Sequence, residues 1–494
     1  RVRELSIQHK KLRESDRQDE DVTDDVIKID SVQLSMALEE ELRDAIIGKI
    51  VERVGERAYL ETWARDVAKV TTRIDRHITE ALQRDGEYGD KARKEFTDFL
   101  EALRGVINPS ITEEDARSML VQHIVTSPIF DALFGEYEFL KKNPVAISFD
   151  HISEVFETFV RRETQTLDGF YRLVEIRANG IDKEAERQEF LRQLYDSFFK
   201  LAFPKTSDSL GIVYTPVEVV DFLVRSADAA LKNEFGLSLA DEDVVILEPV
   251  TGTGTFLSRR MHCLPKEALE RKYQSNEIWG NEILLLPYYI ALANVESAYY
   301  ERTNKHEPFK NMLLVDSFQM AEENGPSQLK MFPEQYTEMM KKQKQAKVNV
   351  IISNPPWYSR QEYENLGAKA TKYDNLDNHI RETYAKDSSA TLVNTLYDGY
   401  IRAIRLATNR IEEKGVIAFV TNSGFLDGNA ADGLRKHLEN DFAKIYILNL
   451  RGNARLAGEA RKKEGGNIFE QGSRAGVVLL ILVKDKDQRG PATI

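Results

Sequence analysis

The spacing of hydrophobic and polar residues changes near residue 205. Between about residues 30 and 200, apolar residues recur at steps of three and four with charged residues between them, as in amphipathic helices. The first such stripe comprises Leu34, Leu38, Leu42, Ala45, Ile46, Ile50 and Val54. Short breaks such as "INPS" and "KKNP" separate the later stripes. The pattern predicts a charged segment over 1–29 and an all-helical domain over 30–205, which shows no catalytic residues and is suited to coupling other domains or docking a partner.

After residue 205, short β-rich runs alternate with helical stretches. The runs are 244–248, 277–282, 312–315, 349–353, 415–420, 444–450 and 476–483. This alternation predicts an α/β domain over 206–494, with an open, mainly parallel sheet of seven strands covered by helices on both faces. A polar loop, 451–475, separates the last two runs and allows an antiparallel final strand.

Composition narrows the setting. The chain has 494 residues, 42% of them hydrophobic, with one cysteine and eight histidines, which allows no internal disulfide and shows no zinc-ligand spacing, so no metal site is expected. No apolar run is long enough for a membrane span, and the N-terminus has no signal-peptide core, which favours a cytoplasmic location. The chain begins with Arg1 and not with Met, so we expect it to be part of a longer polypeptide.

Four candidate polar sites follow four successive predicted strands. In "VVILEPVTGTGTFL", Glu248 ends the first strand, and Gly252 and Gly254 form a turn before a helix, where the backbone can approach a ligand. Glu282 ends the second strand, where an acid can accept ribose hydroxyl groups, and Asp316 and Asn354 end the next two. Each is weak evidence alone, but four in order at four strand ends predict one ligand site. No Gly-Lys-Ser/Thr sequence is present, which disfavours a P-loop.

The fourth strand ends in an unusual turn, "NPPW". Pro355 and Pro356 cannot extend a central strand, so they form a stiff turn between the amide of Asn354 and the ring of Trp357. Together with the glycine turn and the two acids, this turn resembles that of S-adenosylmethionine-dependent methyltransferases that act on exocyclic amino groups. Upstream, "GIVYTPVEVVDFLV" is similar to the segment that precedes the glycine turn in DNA adenine methyltransferases of the γ order.

The resemblance implies a Rossmann-like methyltransferase fold, S-adenosylmethionine as the cofactor and a site for each motif. Thr215 and Pro216 would contact the cofactor, Glu248 and Gly252 its methionine end, Glu282 its ribose and Asp316 its adenine amino group. The implied cofactor-binding residues are Tyr214, Thr215, Pro216, Glu248, Gly252, Gly254, Thr255, Phe256, Glu282 and Asp316. Many relatives have Asp in place of Glu248, so this acid has a longer reach here.

The implied catalytic residues are Asn354, Pro355, Pro356 and Trp357. The Asn354 side-chain oxygen and the Pro355 carbonyl can accept the two hydrogens of an adenine amino group and direct its lone pair toward the methyl donor. Trp357 offers a face on which an adenine flipped out of duplex DNA can stack.

Other chemistries remain to be weighed. Methylation of a cytosine ring carbon needs a cysteine nucleophile, whereas Cys263 is predicted to be a small core residue in a helix. Methylation of the cytosine amino group usually goes with Ser or Asp in place of Asn354. A protein glutamine or RNA amino-methyltransferase uses a similar turn and stays an alternative, as does a non-catalytic module that binds DNA or couples domains.

The segments 381–411 and 447–484 resemble the methyltransferase portion of Type ISP restriction-modification enzymes, and the resemblance covers roughly 30–494. It implies a nuclease and a helicase-like motor upstream, a helical coupler over 30–205, and a target-recognition domain downstream. The last predicted strand ends near the C-terminus of the chain, so sequence specificity is not visible here. Arg402, Arg405 and the basic segment "RLAGEARKKEGG" are candidates for contacts with DNA phosphates, or for an ordinary solvated surface.

Overall fold

The structure is a computed structural model, and it describes residues 56–134, 139–179, 190, 193–194, 202–203, 215–322, 331–357, 373–454, 458–469 and 475–494. The predicted stripe over 34–54 and the predicted site residue Tyr214 lie outside the described residues.

Six helices form the N-terminal part of the described chain. They are α1 (Glu56–Gln83), α2 (Glu87–Val106), α3 (Glu113–Phe134), α4 (Phe139–Lys142), α5 (Pro144–Gln165) and α6 (Asp168–Asn179). The break "KKNP" works as a helix start, because the Asn143 side chain accepts from the amides of Val145 and Ala146 while Pro144 occupies the first helical position. Aromatic side chains such as Phe99 and Phe149 fill the core between the helices, with their rings edge to face at 5.0 Å.

A seven-stranded sheet follows. The strands are β1 (Val245–Glu248), β2 (Ile278–Glu282), β3 (Met312–Leu314), β4 (Val348–Ser353), β5 (Lys414–Asn422), β6 (Lys444–Arg451) and β7 (Val477–Asp485). Their order in the sheet is β3-β2-β1-β4-β5-β7-β6. All neighbouring pairs from β3 to β5 are parallel, while β7 is antiparallel to β5 and β6. The predicted sheet and its antiparallel last strand are therefore confirmed.

Helices connect and cover the strands. They are α7 (Val217–Phe235), α8 (Thr255–Cys263), α9 (Lys266–Gln274), α10 (Leu285–Thr303), α11 (Ser317–Met320), α12 (Glu334–Gln345), α13 (Asp374–Ile380), α14 (Gly399–Arg410), α15 (Gly424–Asp427), α16 (Asp432–Asp441) and α17 (Gly458–Glu464). Helix α13 continues into a π-helical turn, Arg381–Ala385. The apolar stripe of Leu396, Tyr400, Ile404, Ala407 and Ile411, on α14 and its flanks, is buried.

The helical part packs directly on the sheet part through α10. This helix is buried on nearly every side, because one face covers β2 and β3 and another meets α3. Polar contacts fix the junction: His123 Nδ1 lies 2.9 Å from Tyr289 Oη, and Asn143 Nδ2 donates to Tyr288 Oη at 3.0 Å. The helices that the structure describes include none with the length and hydropathy of a bilayer span.

Candidate active site

The four predicted polar positions lie at the carboxyl ends of four strands that are neighbours in the sheet. Glu248 and Glu282 are the last residues of β1 and β2. Asp316 follows β3 and Asn354 follows β4. Because the order is β3-β2-β1-β4, the motifs are brought to one continuous edge, where open α/β sheets bind their ligands.

The two glycines of the turn after β1 differ in their surroundings. Both have a positive φ, 59° at Gly252 and 80° at Gly254. A Cβ on Gly254 would lie 2.8 Å from the Ala291 Cα on α10, whereas a Cβ on Gly252 would meet nothing within 4 Å. Gly254 therefore allows close packing, and Gly252 borders open space. After the turn, Thr255 is the first residue of α8, and the Phe256 side chain is buried.

Glu282 binds the glycine turn from the end of β2. Its Oε2 accepts from the amide of Gly252 at 2.7 Å, and its Oε1 accepts from the amides of Ile283 and Leu284 at 3.0 and 2.8 Å. Burial raises the pKa of this carboxyl to about 7, although the three amides act in the opposite direction. The group is thus poised to change charge near neutral pH.

Asp316 has four protein donors. Its Oδ1 accepts from the amides of Phe318 and Gln319 at 2.9 and 3.3 Å and so caps the short helix α11. Its Oδ2 accepts from Asn108 Nδ2 at 3.0 Å and from Tyr373 Oη at 2.8 Å. Burial raises the pKa of this carboxyl, and these hydrogen bonds oppose the shift. Asn108 belongs to the helical part, which therefore contributes to the site, contrary to the expectation from the sequence.

Glu248 lies deeper than the other acids. It is fully buried, and its Oε2 is 3.7 Å from Nη2 of the equally buried Arg260. Neither oxygen of Glu248 and none of the Arg260 nitrogens forms a hydrogen bond in the structure. Burial raises the pKa of Glu248 well above its ordinary value, while Arg260 opposes the shift and nearby Glu282 adds to it. Burial likewise lowers the pKa of Arg260 to about 10. The pair is a store of unsatisfied polar groups directly behind the glycine turn.

The turn after β4 is held from behind. Asn354 is partly buried, and its Nδ2 donates to Thr215 Oγ1 at 3.0 Å. Thr215 is itself buried, and the following Pro216 is the N-cap residue of α7. No described residue donates a hydrogen bond to Asn354 Oδ1. The planar amide is thus fixed with its oxygen available to a ligand.

Trp357 is anchored through both its nitrogen and its ring. Nε1 donates to the carbonyl of Val420 on β5 at 3.3 Å. The ring meets Phe469 edge to face, with centroids 5.4 Å apart and an interplanar angle of 77°. Phe469 comes from a polar loop and was not predicted from the sequence. Pro355 is buried and Pro356 partly buried between these two fixed side chains, Asn354 and Trp357.

The structure corrects other expectations. Cys263 is exposed at the end of α8, and not a core residue, because this helix is short and its last turn reaches the surface. Arg402 forms a two-pronged ion pair with Asp377 at 2.8 and 2.9 Å, and Arg405 lies 3.4 Å from Asp441. Both arginines are thus committed within the protein. Of the basic segment, Arg455 lies outside the described residues.

Comparison with known families assigns the chain. The family model for the coupler domain of Type ISP restriction-modification enzymes matches residues 59–186, and the model for N-6 DNA methylases matches residues 186–450. The chain belongs to the N-6 DNA methylase family, as a member that carries the Type ISP coupler. A search of curated proteins returned no match.

Solved structures agree with this assignment. The chain is 40% identical to the ATP-dependent Type ISP restriction-modification enzyme LlaBIII bound to DNA, over 91% of this chain and 31% of that one, with a TM-score of 0.83. A nuclease-deletion mutant of the Type ISP enzyme LlaGI with a DNA substrate mimic gives 40% identity, 91% and 37% coverage and a TM-score of 0.81. A DrdV–DNA complex gives 35% identity, 88% and 42% coverage and a TM-score of 0.79. The chain thus spans about a third to two fifths of the length of these relatives.

Proposed function

We propose that the chain transfers a methyl group from S-adenosylmethionine to the exocyclic amino group of adenine in DNA, as the modification module of a restriction-modification polypeptide. The observation that carries the proposal is the Asn354 amide. It is fixed by Thr215 at the end of β4 with its oxygen free of described donors, beside a strand edge that carries three buried acids.

The residues at the other three strand ends fit the cofactor. Open space in front of Gly252 leaves room for a ligand against the backbone. Glu282 keeps one acceptor position beyond its three amide bonds, since a carboxylate offers about four, and can receive a ribose hydroxyl there. Asp316 would receive the adenine amino group, and Thr215, Pro216, Thr255 and Phe256 would border the methionine end with Glu248. When bound, S-adenosylmethionine supplies an electrophilic methyl group.

The turn after β4 would act on the base. An adenine amino nitrogen is a poor nucleophile because its lone pair is delocalised into the ring. Hydrogen bonds from its two hydrogens to Asn354 Oδ1 and to the Pro355 carbonyl favour a pyramidal nitrogen and localise the lone pair. Because both prolines and Thr215 restrict the turn, these acceptors need little reorganisation, and the rate gain comes from positioning and electrostatics.

Trp357 and Phe469 would bind the flipped base. One ring meets the other edge to face, so the Trp357 face that Phe469 does not contact stays available for stacking. Such a stacking contact is worth about 1–3 kcal/mol per base. The titles of the LlaBIII and DrdV structures record DNA complexes, which supports duplex DNA as the substrate here. By the same similarity, nuclease and motor domains upstream, a target-recognition domain downstream and a cytoplasmic location belong to the proposal.

A protein glutamine or RNA amino-methyltransferase is the second candidate, because an amide nitrogen poses the same alignment problem for this turn. A non-catalytic module is the third. The similarity to Type ISP enzymes over 91% of the chain favours DNA over both alternatives.

The test uses the full-length polypeptide and a duplex that it binds. Asn354→Ala should lower the rate of methyl transfer by about 100-fold or more, the scale measured when one fixed hydrogen-bonding partner of a transition state is removed. Its affinity for S-adenosylmethionine, measured by calorimetry, should stay within about twofold of wild type, because Asn354 acts on the base. A variant that methylates adenine near the wild-type rate would refute the proposal.

A further inference from the structure

The Asp316 carboxylate, proposed above as the acceptor for the cofactor's adenine amino group, is already saturated. A carboxylate offers about four acceptor positions. The amides of Phe318 and Gln319 occupy Oδ1, and the side chains of Asn108 and Tyr373 occupy Oδ2. A ligand amino group can therefore bind Asp316 well only by replacing one of these donors.

The two amide donors are the harder ones to replace. They belong to the first turn of α11, which Asp316 caps, and losing them would unwind the start of that helix. Replacement therefore falls on Oδ2, where both donors are side chains.

Asn108 is easier to displace than Tyr373. The Tyr373 ring packs edge to face on Phe318 at 5.3 Å, and the Arg402 guanidinium lies over it at 5.2 Å, so the hydroxyl is fixed by contacts on both sides. The amide of Asn108 is held at its other end only, where Oδ1 accepts from the Ser110 amide and hydroxyl at 2.9 and 2.8 Å. That local turn can persist after Nδ2 releases Asp316.

Asn108 also connects the site to a different part of the molecule. It lies in the connection between α2 and α3, and α3 packs on α10 beside the site. The contacts His123–Tyr289 and Asn143–Tyr288 hold this junction elsewhere and do not involve Asp316. Loss of the Asn108 bond would thus loosen the α2–α3 connection while the junction stays closed.

We propose that Asn108 couples the helical domain to cofactor occupancy, by competing with the adenine amino group of the cofactor for Asp316 Oδ2. Cofactor binding then releases the α2–α3 connection. By reciprocity, any movement of the helical domain that withdraws Asn108 raises cofactor affinity by the same factor. The inference rests on the proposed function, because it takes Asp316 to be the adenine acceptor.

The test compares Asn108→Ala with Tyr289→Phe in the full-length polypeptide. Tyr289→Phe removes one hydrogen bond of the same domain junction without touching Asp316. Two ligands are titrated by calorimetry: S-adenosylhomocysteine, and S-inosylhomocysteine, in which a carbonyl oxygen replaces the amino group. Asn108→Ala should bind S-adenosylhomocysteine about three- to tenfold more tightly than wild type, the scale of one net hydrogen bond. Its affinity for S-inosylhomocysteine, and both affinities of Tyr289→Phe, should be unchanged.

Hydrogen exchange supplies a readout that does not depend on the variant folding normally. In the wild-type polypeptide, S-adenosylhomocysteine should speed amide exchange over 106–112 and S-inosylhomocysteine should not. Weaker or unchanged S-adenosylhomocysteine binding by a folded Asn108→Ala, or slower exchange over 106–112 with ligand, would overturn the proposal. A wild-type protein that binds neither ligand would instead refute the proposed function.

Discussion

The two ends of the site edge are prepared in different ways. At the ends of β1, β2 and β3 the acids are buried, and their oxygens are either bonded to the protein, as in Glu282 and Asp316, or left beside Arg260, as in Glu248. At the end of β4, Asn354 is bonded through its nitrogen only, and its oxygen has no described donor. The cofactor end must exchange internal bonds for ligand bonds, whereas the catalytic turn is held ready before any ligand arrives.

This difference assigns separate tasks to the two ends. A pocket whose acids are satisfied internally can respond to its surroundings, through proton uptake at Glu282 or through Asn108 at Asp316. A catalytic acceptor gains from rigidity, because reorganisation during the reaction would lower the rate. The following predictions break or sharpen the contrast, from the largest expected effect to the smallest.

The glycine turn offers a matched pair of variants at the cofactor end. Gly254→Ala should lower the free energy of unfolding by about 2–4 kcal/mol, because its Cβ would overlap Ala291 and its φ is positive. Gly252→Ala has open space and should cost about 1–2 kcal/mol from φ alone. Its cofactor affinity should nevertheless fall by about tenfold or more, an energy of about 1.4 kcal/mol, since the methyl group projects into the ligand space. Denaturant unfolding and calorimetry separate the two effects, and equal stability of the two variants would contradict the packing difference.

Glu282 should make cofactor binding depend on pH. Its pKa is raised to about 7, and ribose hydroxyls bind the carboxylate form better, so affinity should rise up to about tenfold per pH unit below pH 7 and level off above it. The same raised pKa stabilises the ligand-free fold at low pH, and this contribution is lost as pH rises from about 4.5 to about 7. Calorimetry and thermal unfolding across pH 5–8 measure both slopes.

Glu282→Gln is the control, because glutamine has a similar shape and does not titrate in this range. Both slopes should flatten in this variant. A pH dependence of cofactor affinity as steep as that of wild type would remove Glu282 as its source.

Thr215 sharpens the contrast at the catalytic end. Thr215→Val keeps the shape but cannot accept from Asn354 Nδ2, so the amide loses its anchor and kcat should fall by about three- to tenfold. Thr215→Ser keeps the hydroxyl and should retain most of the rate. Steady-state kinetics of the full-length polypeptide with saturating cofactor measures both. A loss of cofactor affinity equal to the loss of rate in the valine variant would place Thr215 at the cofactor and not behind Asn354.

The sequence was sufficient for the sheet and for the order of its motifs. Strands buried on both faces are short apolar runs, and each ended within about two residues of its predicted position, so the polar residues after them could be placed on one edge. The resemblance to known methyltransferases added the expected role of each residue.

Contacts between distant segments could not be predicted. Asn108 lies 208 residues before its partner Asp316, in a break that looks like ordinary helix punctuation. Arg260 was overlooked because a basic residue in an amphipathic helix normally faces solvent, whereas this one is completely buried beside Glu248. Phe469 sits in a polar loop whose path depends on the antiparallel pairing of β7, and periodicity carries no information about that path.

The identity of the methylated atom is the most direct test of the account. The full-length polypeptide would be incubated with duplex DNA and S-adenosylmethionine carrying a deuterated methyl group, and the DNA nucleosides and the protein peptides would then be analysed by mass spectrometry. The account predicts deuterated N6-methyladenine in the DNA, absent with Asn354→Ala. Label on cytosine, or on a glutamine side chain with none on adenine, would contradict it.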